Sequence, residues 1–125
     1  MVTRRGVRRA AAVLLVAAAA GLVYRHLTRP SFDATGWQDE ASVYREPYPR
    51  LAMADDLLRR GVLNGLSSDS LVRLLGPKPE TEYFKEWDFV YWLGPERGLA
   101  RIDSEWLVIE LGTDSTVVHA EIVRD

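Results

Sequence analysis

Apolar positions change their spacing along this chain, and each change predicts a different element. Residues 10–24 are fifteen positions without a charge, and Ala10, Leu14, Leu15, Val16, Leu22 and Tyr24 leave a helix no polar face. The run therefore predicts a membrane helix rather than a buried core helix. At a rise of about 1.5 Å per residue it spans about 22 Å against a hydrocarbon core of about 30 Å. Arg9 and Arg25 flank it and could snorkel to the interfaces.

Residues 30–50 show no period. Pro30, Gly36, Pro47 and Pro49 punctuate them, which predicts a linker. Phe32, Trp37, Tyr44 and Tyr48 are aromatic-rich for a free linker, so partial packing on the following domain is expected.

Residues 51–63 then read as a helix. Leu51, Ala54, Leu57 and Leu58 fall on one side, with Asp55–Arg59 and Asp56–Arg60 as i,i+4 pairs on a solvated side. A second helix starts at Ser67, a good N-cap, with Asp69 in the first turn and Leu66 placed to staple onto Leu71. Leu71, Leu74 and Leu75 form its apolar face, and Gly76 with Pro77 ends it.

The period then drops to two. Residues 87–93 put Phe89, Tyr91 and Leu93 on one side and Val90 and Trp92 on the other. Residues 105–111 set Leu107, Ile109 and Leu111 against Trp106 and Val108. In residues 117–123, Val118, Ala120 and Ile122 share a face. Residues 112–115 are turn-forming and residues 94–104 make a longer connection, so a three-stranded antiparallel meander follows. The predicted class is α+β: two short helices on one face of the meander, preceded by an N-terminal membrane helix. The chain divides into a basic leader (1–29), a linker (30–50) and a folded domain (51–125).

Charge supports that division. The net charge of −2 over 125 residues hides six arginines and no acid in residues 1–30, then ten bases against all 18 acids, net −8, in the remainder. An acidic domain argues against nucleic-acid binding, which needs cations to displace phosphate counterions. The absence of cysteine excludes disulfides, thiolate metal sites, Cys nucleophiles and a lipid-modified Cys. The arginines before residue 10 outnumber those just after the run, so the N-terminus is expected in the cytoplasm and the domain outside it. The alternative is a signal peptide cleaved after Ala20, with Ala18 and Ala20 as the small flanking residues, leaving a secreted or periplasmic domain.

The helix–helix–meander order, with Gly65, Leu66, Ser67, Leu71, Leu75 and Gly76 framing the second helix, resembles the BamE (SmpA/OmlA-type) small envelope domain over about residues 51–123. The aromatic strand and the Trp106, Leu107, Ile109, Leu111 strand are also similar. Family members known for function are envelope lipoproteins that assist outer-membrane protein assembly. This chain departs from them in having no lipid-attachment Cys and in carrying prolines at Pro77 and Pro79. The resemblance thus implies the fold and an extracytoplasmic interaction role, in a membrane-anchored subgroup.

Candidate chemistry is sparse. His26 and His119 are isolated, without the spacing of metal ligands, and neither a nucleophile elbow nor a phosphate loop occurs. Asp103 and Glu105 could act as paired carboxylates with Arg97 orienting an anion, but a solvated hairpin explains the same residues. No cofactor or metal is expected. The outward sheet face is the stronger lead: Val90, Trp92, Trp106 and Val108, together with Glu96 and Arg97 of the hairpin, form a candidate surface for an envelope protein partner. Phe32, Trp37 or Tyr44 folding back over that face is the competing expectation. A small-ligand or cell-wall-binding module is the second functional reading, and it predicts a closed groove between helices and sheet lined by tyrosines, against which dense packing of Leu71, Leu75, Phe89 and Ile109 would count.

Overall fold

The computed structural model describes residues 4–27 and 31–125. Residues 1–3 and 28–30, the start of the leader and its junction with the predicted linker, lie outside the described residues, as do the side chains of Arg4, Arg5, Arg25, His26 and Leu27. Helix α1 covers Arg4–Leu27, longer than the uncharged run alone. Its Gly6–Tyr24 stretch has a mean hydropathy of 1.7 with nothing buried, and is long and apolar enough to cross a membrane, as a signal sequence also is. Nineteen residues of helix measure about 28 Å, close to the hydrocarbon thickness.

The irregular segment contains two one-turn helices, α2 (Ala34–Trp37) and α3 (Glu40–Val43). Two aspartates nucleate them: Asp33 accepts from the Gly36 amide and Asp39 from the Ala41 amide. Such turns are too short for an apolar period, so only their caps mark them. They matter because α2 carries Trp37 into complete burial and α3 buries Val43.

Helix α4 (Pro49–Arg60) begins with Pro49 at its first turn and ends at Gly61, whose φ of 64° is left-handed. Leu51, Ala54 and Leu57 are buried as expected. Asp56 departs from expectation: it is 2% exposed and not on a solvated face. Helix α5 (Ser68–Leu75) has the predicted form, with Ser67 accepting from the Ser70 amide and Gly76 closing it at φ 87°.

Strands β1 (Phe89–Pro95), β2 (Ser104–Leu111) and β3 (Val117–Arg124) form an antiparallel meander in the order β1-β2-β3. One face packs on the helices, where Phe89, Tyr91, Leu93, Leu107 and Ile109 join Trp37, Leu51, Ala54, Leu57, Leu71 and Leu75 in the main core. That packing closes the space between α4, α5 and the sheet around Leu71, Leu75, Phe89 and Ile109.

Two expectations need correction. The pairing of β2 with β3 shifts between Glu110 and Leu111, whose partners are His119 and Val117. Val118 is the extra residue of this bulge, so it is exposed while Val117 enters the core. There are also more helices than two: α2 and α3 precede α4 and α5, and α2 brings Trp37 into the core against Tyr91 of the sheet.

Candidate functional site

The predicted interaction surface is not an open face. Val90, Trp106 and Val108 are buried and form a second, smaller core on the outer side of the sheet, while Trp92 is half-buried. Trp92 and Trp106 are direct cross-strand partners, and each is roofed by a tyrosine. The Tyr44 ring stacks on Trp92 at 5.2 Å between centroids, with Tyr48 edge-on at 5.9 Å. Tyr83 stacks on Trp106 at 5.0 Å, with Phe84 at 6.1 Å. The Trp106 indole N–H donates to Asp125 at 2.9 Å. Of the three residues expected to fold back, Tyr44 does so, whereas Phe32 and Trp37 belong to the helix-side core. Helices cover one side of a sheet this size, and aromatic turns cover the other because bare tryptophans would otherwise face water.

Asp103 and Glu105 sit in different surroundings. Glu105 is 3% exposed, and its carboxylate accepts the Arg97 amide at 2.7 Å and the Arg97 side chain through Nε at 3.0 Å and Nη2 at 2.9 Å. Burial pushes the Glu105 pKa up, but the Arg97 hydrogen bonds outweigh it and hold the group below the usual carboxylate range. A carboxylate kept ionised and saturated with donors is a poor proton shuttle. Asp103 is exposed and joins the hairpin through its backbone carbonyl, which accepts from the Glu96 amide at 2.8 Å. Glu96 is half-buried, with its carboxylate 3.8 Å from Arg124. His119 is exposed and meets Glu121 at 2.9 Å.

The predicted membrane-helix residues Ala10, Leu14, Leu15, Val16, Leu22 and Tyr24 are all exposed, which is compatible with an anchor and with a signal sequence alike. Among the described residues no group of three or more His, Cys, Asp or Glu is placed to hold a metal ion.

A concavity borders this aromatic face. A cleft of about 940 Å³ opens between residues 38–50 and residues 75–83, with Tyr91, Trp92 and Trp106 of the sheet also lining it. The Tyr44–Trp92 and Tyr83–Trp106 stacks border it, and Arg50 and Lys78 bring cations to its wall. Arg50 is half-buried, donates through Nε to the Trp37 carbonyl at 2.9 Å and lies 4.8 Å above the Trp37 ring. Among the described residues no carboxylate pairs with it. Burial lowers its pKa, but a guanidinium stays charged in proteins, so Arg50 is a cation with no direct ion pair in a wall that also carries Lys78, Glu40, Glu80 and Asp125. Tyr91 donates its hydroxyl to the Gly76 carbonyl at 3.1 Å, and burial raises its pKa, so it stays neutral.

Arg50 and the cleft escape a linear reading. Arg50 is one polar residue beside Leu51, and no periodicity marks that Trp37, thirteen positions earlier, will lie beneath its guanidinium. No protein-family model, curated protein or solved structure matches the chain.

Proposed function

We propose that this protein is a membrane-anchored, extracytoplasmic accessory module of the cell envelope that recognises a partner protein and catalyses no reaction. The anchor is α1, with its N-terminus in the cytoplasm as the excess of arginines on that side favours. The reading includes the BamE-like resemblance of residues 51–123, which the two packed helices followed by an antiparallel meander support at the level of element order. The observation that carries recognition is Arg50: a half-buried guanidinium without a carboxylate partner on the wall of an aromatic cleft. Such a group favours an acidic segment with an apolar or aromatic neighbour, whose carboxylate takes the fork while its side chain lies on Tyr44 or Tyr83. The mutual saturation of Arg97 and Glu105 supports the absence of catalysis.

A photo-crosslinker at position 83, read in native membranes, tests the proposal. A discrete protein adduct that disappears in Arg50→Gln, with the fold retained, supports it. No adduct, or an adduct indifferent to Arg50→Gln, overturns it. Intact mass on the same sample tests the anchor, since a chain starting at residue 21 would be a cleaved product. The second reading, a small-ligand or cell-wall glycan module, is favoured by the two stacked Tyr–Trp pairs, because aromatic faces suit sugar rings. It would give binding of soluble cell-wall fragments that Tyr44→Ala weakens.

A further inference from the structure

The β1–β2 hairpin ends in two aliphatic side chains with nothing packed on them. Leu99 is 108% exposed and Ile102 84%, the highest values among the large apolar residues described. Exposed hydrophobics scattered singly are ordinary. These two share the hairpin tip with Arg101, which forms an exposed ion pair with Glu46 at 3.4 Å.

The tip is held out from a locked base. The Glu96 amide donates to the Asp103 carbonyl at 2.8 Å, and Arg97 grips Glu105 on β2 and Asp55 on α4. The Arg97 carbonyl accepts from Arg124 at 3.4 Å. With residues 97 and 103 fastened, Leu99 and Ile102 are kept from turning back into the core.

The placement of that base says which apolar medium is close. Asp55 holds the hairpin, and the next residue, Asp56, accepts the backbone amide of Phe32 at 2.8 Å. The hairpin base and the point where the leader joins the domain are thus tied to consecutive residues of one helix, whose Cα atoms are about 3.8 Å apart. Leu27, the last residue of α1, is five residue steps from Phe32, at most about 18 Å of chain. A bilayer crossed by Gly6–Tyr24 keeps its surface within reach of that region.

We propose that residues 99–102 form a second membrane contact, in which Leu99 and Ile102 enter the interfacial zone of the bilayer that α1 spans and Arg101 meets lipid phosphate. The proposal rests on the membrane-anchored reading given above but not on the cleft or its ligand. Leu99 and Ile102 lose their contact with water, and the Arg101 guanidinium offers a phosphate its planar fork of donors. Two attachment points, helix and hairpin, fix the orientation of the domain against the membrane.

The chain has no cysteine, so single reporters are available. Full-length Leu99→Cys, Thr113→Cys and Ala17→Cys, each labelled with an environment-sensitive fluorophore, are reconstituted into phosphatidylcholine–phosphatidylglycerol vesicles containing doxyl lipids. Emission at 17 and 99 should shift to the blue and be quenched, at 99 by shallow doxyl groups. The label at 113, on the other hairpin, should match its behaviour in buffer. Adding Ile102→Asp to the variant labelled at 99 should abolish the quenching there. A label at 99 that behaves like the one at 113 while 17 is quenched overturns the tip contact and leaves the anchor standing. An unquenched label at 17 overturns the anchor, and the tip contact with it.

Discussion

Arg97 and Glu105 close the neck of the β1–β2 hairpin, Nη2 of the guanidinium lying 2.9 Å and Nε 3.0 Å from the carboxylate oxygens. The two sides are unequal, since the Arg97 side chain is 40% exposed and that of Glu105 is 4%. The pair therefore exists for the buried partner: Glu105 sits in a strand whose next four residues, Trp106 to Ile109, are all buried, and it needs a cation to remain ionised.

Removing that cation should cost more than removing the outer acid. Arg97→Met leaves Glu105 without its charged donor and should lower stability by about 1–3 kcal/mol, a range discounted for the exposure of Arg97. Asp55→Asn breaks only the exposed half of the fork and should cost under about 1 kcal/mol. Urea unfolding of the two variants checks the order.

Trp37 should be the most sensitive aromatic position. It is fully buried, its indole N–H donates to the Leu75 carbonyl at 3.2 Å, and Arg50, Tyr91 and Phe32 all contact its ring. Trp37→Ala should destabilise by about 3–5 kcal/mol. Tyr44→Ala, which strips an exposed ring from Trp92, should cost no more than about 1.5 kcal/mol. Thermal unfolding followed by circular dichroism separates the two.

Gly94 should resist even alanine. A Cβ there would stand 3.0 Å from Leu51 Cδ1 and 3.0 Å from Tyr48 Cβ, at a φ of 156°, where β1 bulges to let α4 approach. Gly94→Ala should cost about 1–3 kcal/mol. Gly65 has φ 74° but open space around it, so Gly65→Ala should cost about 1–2 kcal/mol through backbone conformation alone. Crystal structures of both variants should show α4 displaced only in the first.

Acid should weaken the fold through two named carboxylates. The Asp56 pKa is lowered chiefly by the Phe32 amide, then by Arg60, and Glu105 is held low by Arg97 against its burial. Both folded pKa values lie below the unfolded ones of about 4, so below that range the unfolded chain binds more protons and stability rises with pH. The contribution is complete above about pH 5 and is lost as the pH falls through the folded values. Denaturation at pH 7, 5 and 3 should show the decline, and Asp56→Asn should flatten it while lowering stability at pH 7.

What could be read from the chain was whatever repeats or caps locally. Ser67 and Gly76 bound α5 because their preferences for a cap and for positive φ act within one turn. The alternation through Phe89, Tyr91 and Leu93 is read correctly because the pleat enforces it. The same rule misplaces Val118, since a bulge inserts one residue and the pattern carries no mark of it. Asp56 reads as half of a solvated pair, yet its decisive partner is an amide 24 residues away. For Trp92 and Trp106 the chain left an open patch and a covered one as alternatives, with Tyr44 among the expected covers, but Tyr83 comes from a segment without period and went unmarked.

The sequence by itself determined the apolar helix that precedes an acidic domain, the α+β class and the antiparallel meander, because each follows from spacing and charge along the chain. Only the tertiary structure decided that residues 32–48 belong to the folded unit, that both sheet faces are covered, and that Arg50 lies over Trp37 on a cleft wall with no direct ion pair among the described residues. Those outcomes depend on which distant surfaces meet, and contact between residues far apart in the chain leaves no period in it.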